Sequence, residues 1–258
     1  VAYHTDLELE TEPDLLNQYS HVISAGPMRY WTKNTEEALG NFVNKGGNIV
    51  HLGSEAGQHI VGLRNNNDYH DGQIVLQPNS DFPNVGERLE NNLFCATVSG
   101  SRKNGPWAGL NFSRKLCKHF KRLKITNKAV QGIAGLSWDR SLKSSDLTIL
   151  AKSRIKHREW TYRIANSHIR VFDSGGSIFN AGVSSWTWGL EEFGNHGNAL
   201  VSDNLQRITL ELIGQDSNRE ISETETYKEN DGKYDDLFTL DDFNIILQHH
   251  FLNHITHL

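Results

Sequence analysis

The sequence lacks the features that mark several common classes of protein. It has only two cysteines, Cys95 and Cys117, and it contains no Cys-x-x-Cys pair, Walker loop or Gly-x-Gly-x-x-Gly loop. It also lacks any run of the roughly 20 apolar residues that a membrane-spanning helix requires. The cysteines either form one disulfide bond or stay as two free thiols, because a sequence does not show whether they meet. Nucleotide chemistry and a membrane span are therefore not supported.

The chain also has no excess of basic residues. Its 258 residues include 31 acids and 26 bases, giving a formal net charge of −5, whereas nucleic-acid-binding surfaces usually have a basic excess. The basic segment 114–124 is an exception, and a solvated helix face is favoured there over an anion site. We therefore predict a soluble protein without a nucleic-acid partner. Because the chain starts at Val1 without a signal peptide, we expect a processed or excised N-terminus and leave the compartment open.

The first fifty residues alternate between strand and helix patterns. Strands linked by short connections through helices are typical of parallel βαβ units, so we predict an α/β fold with three layers and a mostly parallel sheet. The first strand reads as an interior strand, which predicts an upstream domain or a partner chain along its edge. The predicted strands are 1–5, 20–26 and 48–53, and the predicted helices are 12–19 and 32–47.

The periodic pattern fades between residues 60 and 145. We interpret this part as a long loop-rich insertion with short strands such as "GQIVLQ" and "LFCATVSG", and such insertions often form lids or binding walls. Strand patterns then return, with a hairpin turn at Gly175-Gly176 and a helix that ends near Gly214. We therefore predict one α/β domain over 1–214, with a polar linker and a closing C-terminal helix over 215–258 packed on it.

The loop after the predicted strand 48–53 reads Gly53-Ser54-Glu55-Ala56-Gly57. Ligands of open α/β sheets bind at the carboxyl ends of strands, and the Gly-x-nucleophile-x-Gly spacing places Glu55 at the point of a sharp turn. A carboxylate there can act as a base or as a metal ligand; the alternative is a solvated Glu55 on a glycine-permitted turn. His51 is a second catalytic candidate, with a buried, hydrogen-bonded histidine as its alternative.

Tyr30 and Trp31 follow the preceding strand, so Tyr30 and Glu55 are expected to face one crevice. A tyrosine oxygen suits ferric iron and a carboxylate completes such a site, whereas the alternative is an aromatic pair that caps the sheet. Further tryptophans are candidate binding residues with core packing as the default interpretation: Trp107, Trp186 and Trp188.

Three segments in order resemble one family. The segment "YSHVISAGPMRYWTKNTEEALGNFVNKGGNIVHLGSE" resembles a strand, a His-Pro-Glu-Tyr-Trp-Ser motif, a helix and Gly-Gly before the next strand. The segment "GIAGLSWDR" resembles Gly-Tyr-Glu-Trp-Asp-Arg, and "GGSIFNAGVSSWTWGL" with "ALVSDNLQRI" resembles a Gly-Arg-Val-Phe-x-x-Gly-Ser, Trp and Asn-x-Leu close. From about residue 1 to 214 the chain thus resembles the C-terminal domain of the N,N-dimethylformamidase large (beta) subunit. The resemblance implies a fold similar to class I glutamine amidotransferases and an iron ion, held by two tyrosines and a glutamate, that activates water against an amide.

The resemblance carries over to this chain only in part. Tyr30 occupies the position of the motif's tyrosine, which implies a role as iron ligand, and Tyr3 is the candidate for the second tyrosine. The insertion contains no His-x-Glu segment to supply the glutamate. The motif's His-Pro-Glu is replaced by 26–29, so that Arg29 adds positive charge where an iron site needs negative charge. We therefore favour a non-catalytic binding or assembly module, with an iron-dependent hydrolase of small amides as the alternative.

Overall fold

The computed structural model describes residues 2–63, 76–78, 93–102, 108–113, 129–158, 161–191 and 201–214, and all structural statements concern these residues. The helices are α1 (Asp6–Thr11), α2 (Lys33–Asn44) and α3 (Asp203–Leu212), with 3-10 helices at Pro13–Gln18 and Trp186–Gly189. The strands are β1 (His21–Ala25), β2 (Tyr30–Trp31), β3 (Asn48–Leu52), β4 (His59–Leu63), β5 (Leu76–Pro78), β6 (Ala96–Arg102), β7 (Ala108–Phe112), β8 (Ala129–Ala134), β9 (Leu136–Ser141), β10 (Leu147–Arg158), β11 (Thr161–Val171) and β12 (Ser177–Asn180).

The main sheet has seven strands in the order β1-β3-β12-β11-β10-β7-β8. Only the β1–β3 and β3–β12 pairs are parallel, and the other four pairs are antiparallel. The prediction of a mostly parallel sheet is therefore wrong, while a mixed α/β architecture is shown. The reason lies in the connections: only two residues separate the long strands β10 and β11, and a parallel pair requires a crossover of a dozen or more residues.

Two smaller sheets accompany the main one, in the orders β2-β4-β5 and β6-β9. Strand β5 includes the last two residues of the predicted strand "GQIVLQ", of which 72–75 lie outside the described residues, and β6 begins within the predicted strand "LFCATVSG". Strands β7 and β8 come from the segment predicted as a loop-rich insertion, yet they extend the main sheet at one edge. The main sheet is thus assembled from both halves of the chain.

The first element of the chain is a helix. Residues 2–5 form no strand, and Thr5 instead begins α1 with a capping box: Glu8 N–H donates to the Thr5 hydroxyl at 3.3 Å, and Thr5 N–H donates to the Glu8 carboxylate at 2.6 Å. The Thr-x-x-Glu spacing is a known signal for a helix start. The predicted strand over 1–5 is therefore wrong, and so is the sheet edge on which a partner chain was expected.

The unit β1-α2-β3 matches its prediction. The Thr32 side chain accepts from Thr35 N–H at 3.1 Å at the start of α2. After the helix, Gly46 has a φ of +96°, a left-handed conformation that favours glycine. The face of α2 that meets the sheet is apolar and buried; its residues include Ala38, Leu39, Phe42 and Val43. This face holds the crossover of the unit against the sheet.

Apolar residues on the two faces of the parallel strands enter different cores. In β3, Ile49 belongs to the core that contains residues of α2, whereas Val50 belongs to the core that contains residues of α3 and of β10. Because neighbouring side chains of a strand point to opposite faces, α2 and α3 cover opposite sides of this end of the sheet. The carboxyl ends of β1 and β3 are thus held between two packed layers.

The C-terminal part of the described chain also agrees with its prediction. Strands β11 and β12 form the antiparallel hairpin, and α3 buries Leu205, Ile208 and Leu212 before Gly214, whose φ is +77°. The predicted linker and closing helix over 215–258 lie outside the described residues, so the proposed domain boundary stays a prediction. Among the helices that are described, none has the length and apolar character needed to cross a membrane.

Candidate functional site

The candidate site lies where the parallel strands β1 and β3 end. In their register Ala25 lies opposite Leu52, so the loops that follow leave the sheet at the same edge. These loops are in direct contact, because a Cβ atom built on Gly53 would lie 2.1 Å from the carbonyl oxygen of Gly26. Only glycine fits at position 53, and its absence of a side chain brings the two loops together.

Glu55 sits at a sharp turn after β3. Its φ of +64° is left-handed, a conformation that is strained for any residue other than glycine and is often found at functional sites. The residue is only 5% exposed, and its backbone N–H donates to both carboxylate oxygens of Asp139 at 2.9 Å. The backbone of Glu55 is therefore held in the strained conformation by a buried acid from strand β9.

Arg29 binds the side chain of Glu55 through two hydrogen bonds. Its Nε donates to Oε2 at 2.9 Å and its Nη2 donates to Oε1 at 2.7 Å. These bonds, followed by a hydrogen bond to the side chain of Tyr30, raise the pKa of the Arg29 guanidinium above its usual value. Arg29 thus joins Tyr30 to Glu55, and these two residues lie close together at one edge, as expected from their positions after neighbouring strands.

The two aromatic residues of β2 point in opposite directions. Tyr30 is 40% exposed and its ring stacks on His59, with ring centroids 5.5 Å apart. Trp31 is 2% exposed and packs edge-on against Phe94, with ring centroids 5.3 Å apart. This alternation follows from the strand geometry of β2, which pairs in parallel with β4. Tyr30 is therefore accessible at the edge of the crevice, and Trp31 forms its apolar backing.

Asp139 is a buried acid that the sequence reasoning did not single out. Burial raises the pKa of its carboxyl to about 6, against the lowering effect of the hydrogen bonds from Glu55 N–H and from the Asn180 amide. The residue lies 84 positions after Glu55 in the chain. The only signal for it was the "WDR" segment quoted for the family resemblance.

Three serine hydroxyl groups meet beside Glu55. The Ser54 oxygen lies 2.6 Å from those of Ser137 and Ser184, and the latter two are 2.5 Å apart. Ser137 occupies the glutamate position of the Gly-Tyr-Glu-Trp-Asp-Arg motif. The triangle connects three segments that are far apart in sequence, and no sequence pattern pointed to it. It links the loop after β3 to the segments that contain Ser137 and Ser184.

His51 is completely buried at the end of β3. Its Nε2 lies 3.3 Å from the carbonyl oxygen of Ser54, and its Nδ1 lies 3.2 Å from the hydroxyl of Ser24. Since a carbonyl oxygen only accepts hydrogen bonds, Nε2 carries the proton and Nδ1 faces Ser24 as the acceptor. Burial lowers the pKa of His51 to about 4, so the ring is neutral at pH 7. In this arrangement His51 supports the turn that positions Glu55.

The remaining candidate residues are spread over the molecule. Trp186 is 1% exposed, and its indole N–H donates to the hydroxyl of Thr209 at 3.0 Å. Trp188 is half-buried, and the two tryptophans lie in a 3-10 helix rather than in an extended strand. Tyr3 is 57% exposed before α1, and Trp107 lies outside the described residues. The binding roles of these side chains stay predictions.

Of the two cysteines, one lies among the described residues. Cys95 is a free cysteine with a φ of +48°, and Cys117 lies outside the described residues. Burial raises the pKa of the Cys95 thiol. A raised pKa lowers the fraction of the reactive thiolate form, so this half-buried thiol is a poor candidate for a nucleophile.

The residues present do not fit an iron ion between Tyr30 and Glu55. Both carboxylate oxygens of Glu55 accept hydrogen bonds from Arg29, and the same guanidinium also binds the side chain of Tyr30. A ferric ion there would compete with this positive charge for both oxygen ligands. Within the described part of the chain, no three His, Cys, Asp or Glu residues come together in a way that could hold a metal ion.

One comparison with known proteins, a match to a family model, agrees with the motif resemblance. No curated protein matches the chain at a significant level. A sequence model of the family described as "N,N-dimethylformamidase beta subunit-like, C-terminal" matches residues 1–199. This match covers most of the 258 residues and includes every residue of the crevice around Tyr30, Glu55 and Asp139. The chain therefore belongs to the N,N-dimethylformamidase beta subunit-like C-terminal domain family.

Proposed function

We propose that this chain is a non-catalytic member of its family and that it acts as a binding or assembly module. The observation that supports this proposal is the two-bond ion pair between Arg29 and Glu55 at the carboxyl ends of β1 and β3. Arg29 replaces the acid of the His-Pro-Glu-Tyr-Trp-Ser motif and neutralises the carboxylate that faces Tyr30. The carboxylate of Glu55 is therefore not free to act as a base or as a metal ligand while this ion pair is formed.

A second substitution supports the same proposal. Ser137 stands where the Gly-Tyr-Glu-Trp-Asp-Arg motif has a glutamate, and its hydroxyl is used in the contact with Ser54 and Ser184. A general base needs a proton acceptor within reach of the reacting group, and a serine hydroxyl already bonded to other hydroxyls is a poor one. Two acids of the family motifs are thus replaced in the crevice by a cation and a neutral group.

The family description supports a role in assembly. It names a beta subunit-like domain, and a domain of that kind implies contact with other chains or domains. The sheet retains a β1 strand that, in the described part of the chain, pairs only with β3. Strand edges of this type are common places for further pairing.

Iron loading and amide hydrolysis test this proposal together. We expect purified chain, reconstituted with ferrous or ferric iron, to retain far less than one iron per chain after desalting and to leave N,N-dimethylformamide unhydrolysed. Tyr30→Phe provides the control, because a tyrosinate–iron centre gives a visible charge-transfer band that this variant loses. Stoichiometric iron, a band that depends on Tyr30, and turnover of the amide would overturn the proposal.

An iron-dependent hydrolase of C–N bonds in small amides is the second candidate function. The strained left-handed conformation of Glu55, together with its position beside the accessible Tyr30, supports it. Strain of this kind costs of order 1–3 kcal/mol and is often retained for a functional reason. An amide hydrolase of this kind would need a Glu55 carboxylate that is not bonded to Arg29. Hydrolysis that appears only in an Arg29→Gln variant would therefore favour this second function.

A further inference from the structure

A basic strip lies on one face of the β10–β11 hairpin and shares no residue with the Tyr30 crevice. The strand register places three exposed cations of β10 opposite three residues of β11, and none of the six side chains is acidic. Tyr162 and Ile164 are 49% and 48% exposed and alternate along β11, so they lie together on the same face. The hairpin strip consists of Lys152, Arg154, Lys156, Tyr162, Ile164 and Asn166.

On the same face of the hairpin, the part of β11 that follows Asn166 is covered by other residues of the chain. His168 approaches the carbonyl oxygen of Phe94 at 2.8 Å, and Arg170 donates to the carbonyl oxygen of Leu93 at 3.1 Å. Both residues share the face of Asn166 and Ile164, since they alternate along β11. The small β6-β9 sheet thus packs along half of the hairpin, and the hairpin strip begins where that cover ends.

A shallow groove of about 350 Å³ connects this cover to the hairpin strip. Its lining includes three cations, Arg140, Lys143 and Lys152, and no acid among the described residues. Apolar side chains also line it, among them Leu147, Ile149 and Ile164, and the remaining lining residues are polar and uncharged. A groove with basic rims and apolar walls is complementary to a ligand that alternates acidic and apolar groups.

Asn166 adds a polar group that lacks a partner at the groove. The residue is 5% exposed, and its Nδ2 donates to the hydroxyl of Ser141 at 2.9 Å. Its Oδ1 is buried and has no hydrogen-bond partner. Buried polar atoms are nearly always hydrogen-bonded, so this oxygen indicates a missing donor from outside the described residues. A backbone N–H of an extended segment has the required chemistry.

We propose that the groove and the hairpin strip form one docking surface for an extended acidic segment of a partner protein. Its carboxylates would face Arg140, Lys152 and Arg154, and its apolar side chains would cover Ile164. One backbone N–H would donate to Oδ1 of Asn166. This inference rests on the proposed binding role and names the chemistry of the partner.

The surface favours protein over nucleic acid for two reasons. The ring of Tyr162 is already covered by the guanidinium of Arg154 at 4.1 Å, so that face of the ring is not open for stacking with a base. The net charge of −5 also opposes a long polyanion. A short segment with alternating acidic and apolar groups uses the cations and the apolar wall together.

Fluorescence anisotropy with a designed peptide tests the docking surface. The probe is a fluorescein-labelled peptide of about ten residues in which Glu or Asp alternates with Leu or Val. We expect the full chain to bind it and the double variant K152E/R154E to bind it about tenfold or more weakly. The matched control K33E/K45E changes two exposed lysines of the α2 region by the same charge, and we expect it to bind within about twofold of the unaltered chain.

The possible results distinguish a peptide-docking surface from a non-specific charge effect and from a nucleic-acid surface. The inference is wrong if K152E/R154E and K33E/K45E weaken peptide binding equally. It is also wrong if the chain binds a single-stranded oligonucleotide in place of the peptide, or if no peptide binding is seen at millimolar concentration. Far-UV circular dichroism checks the fold of each variant. Lys143→Glu, at an exposed position after β9, is the second variant, with an expected loss of about threefold. Failure of the peptide to bind leaves the result of the amide hydrolysis test unchanged, so the two proposals fail separately.

Discussion

At the scale of single residues, the charged side chains of the crevice pair with each other or with backbone groups. A buried Glu55 carboxylate without a partner would destabilise the fold, and Arg29 of the neighbouring loop is its partner. Asp139 receives the backbone N–H of Glu55, and His51 supports the carbonyl group of Ser54. Residues predicted as catalytic therefore hold the turn in place, a role that the sequence alone does not distinguish from chemistry.

Loss of Arg29 is expected to destabilise the protein. Arg29→Ala leaves the buried Glu55 carboxylate without its two hydrogen bonds, and we expect the free energy of unfolding in urea to fall by about 2 kcal/mol. Lys33→Ala breaks an exposed ion pair to Glu37 and should cost less than about 0.5 kcal/mol. The double variant R29M/E55Q should recover part of the loss, since no buried charge then remains. Equal stability of Arg29→Ala and Lys33→Ala would show that the pair contributes nothing.

The buried carboxyl of Asp139 makes a defined contribution to the pH dependence of stability. Its folded-state pKa of about 6 exceeds the ordinary value of 3.8, so the folded protein binds this proton more tightly than the unfolded chain does. The stability it contributes is complete below the ordinary value and is lost as the pH rises through 6. The loss approaches about 3 kcal/mol, since one pKa unit corresponds to about 1.4 kcal/mol.

Asp139→Asn tests this contribution. The amide does not titrate, so between pH 4 and 6.5 the unfolding free energy of the variant should rise relative to that of the unaltered chain. The lost acceptor oxygen adds a cost that does not depend on pH. Urea unfolding at several pH values measures both effects, and parallel curves for the two proteins would contradict the assigned shift.

At the scale of elements, the loops after β1 and β3 are joined by close backbone contact. Periodicity and the Gly46-Gly47 ending predicted β1, α2 and β3 correctly, because this unit buries one clear apolar face. The same reasoning failed for residues 1–5, where the Thr5–Glu8 capping signal outweighed a short apolar alternation. Short segments with few apolar residues are decided by such local hydrogen bonds.

A methyl group at position 53 is expected to separate the two loops. In Gly53→Ala the new Cβ would lie 2.1 Å from the Gly26 carbonyl oxygen, a backbone atom, so the backbone of one loop would have to shift. We expect a loss of about 3 kcal/mol or more in the free energy of unfolding. Gly40→Ala is the control, because a Cβ there meets nothing within 4 Å, and in the middle of α2 it should stabilise by up to about 1 kcal/mol. Thermal unfolding of both variants would reveal the contrast, and a neutral Gly53→Ala would show that the loops can shift apart.

At the scale of the whole molecule, the motifs predicted the family but not the arrangement of the sheet. The family model matches residues 1–199, a range that contains the Tyr30 and Glu55 positions. Strands β7, β8, β10 and β11 give the sheet its antiparallel half, and their order depends on contacts between residues distant in sequence. For the same reason Asp139 and Ser184, which lie 84 and 130 positions from their partners, could not be assigned to the site from the sequence.

The backbone amide of Glu55 offers a direct way to follow the crevice in solution. Its hydrogen points at the buried Asp139 carboxylate, so it can exchange for deuterium only when this acid and the turn move apart. The rate of that single exchange event would report the free energy needed to open the crevice, independently of any ligand. A change in that rate on addition of the peptide would also show whether a partner bound at the hairpin strip tightens or loosens this turn.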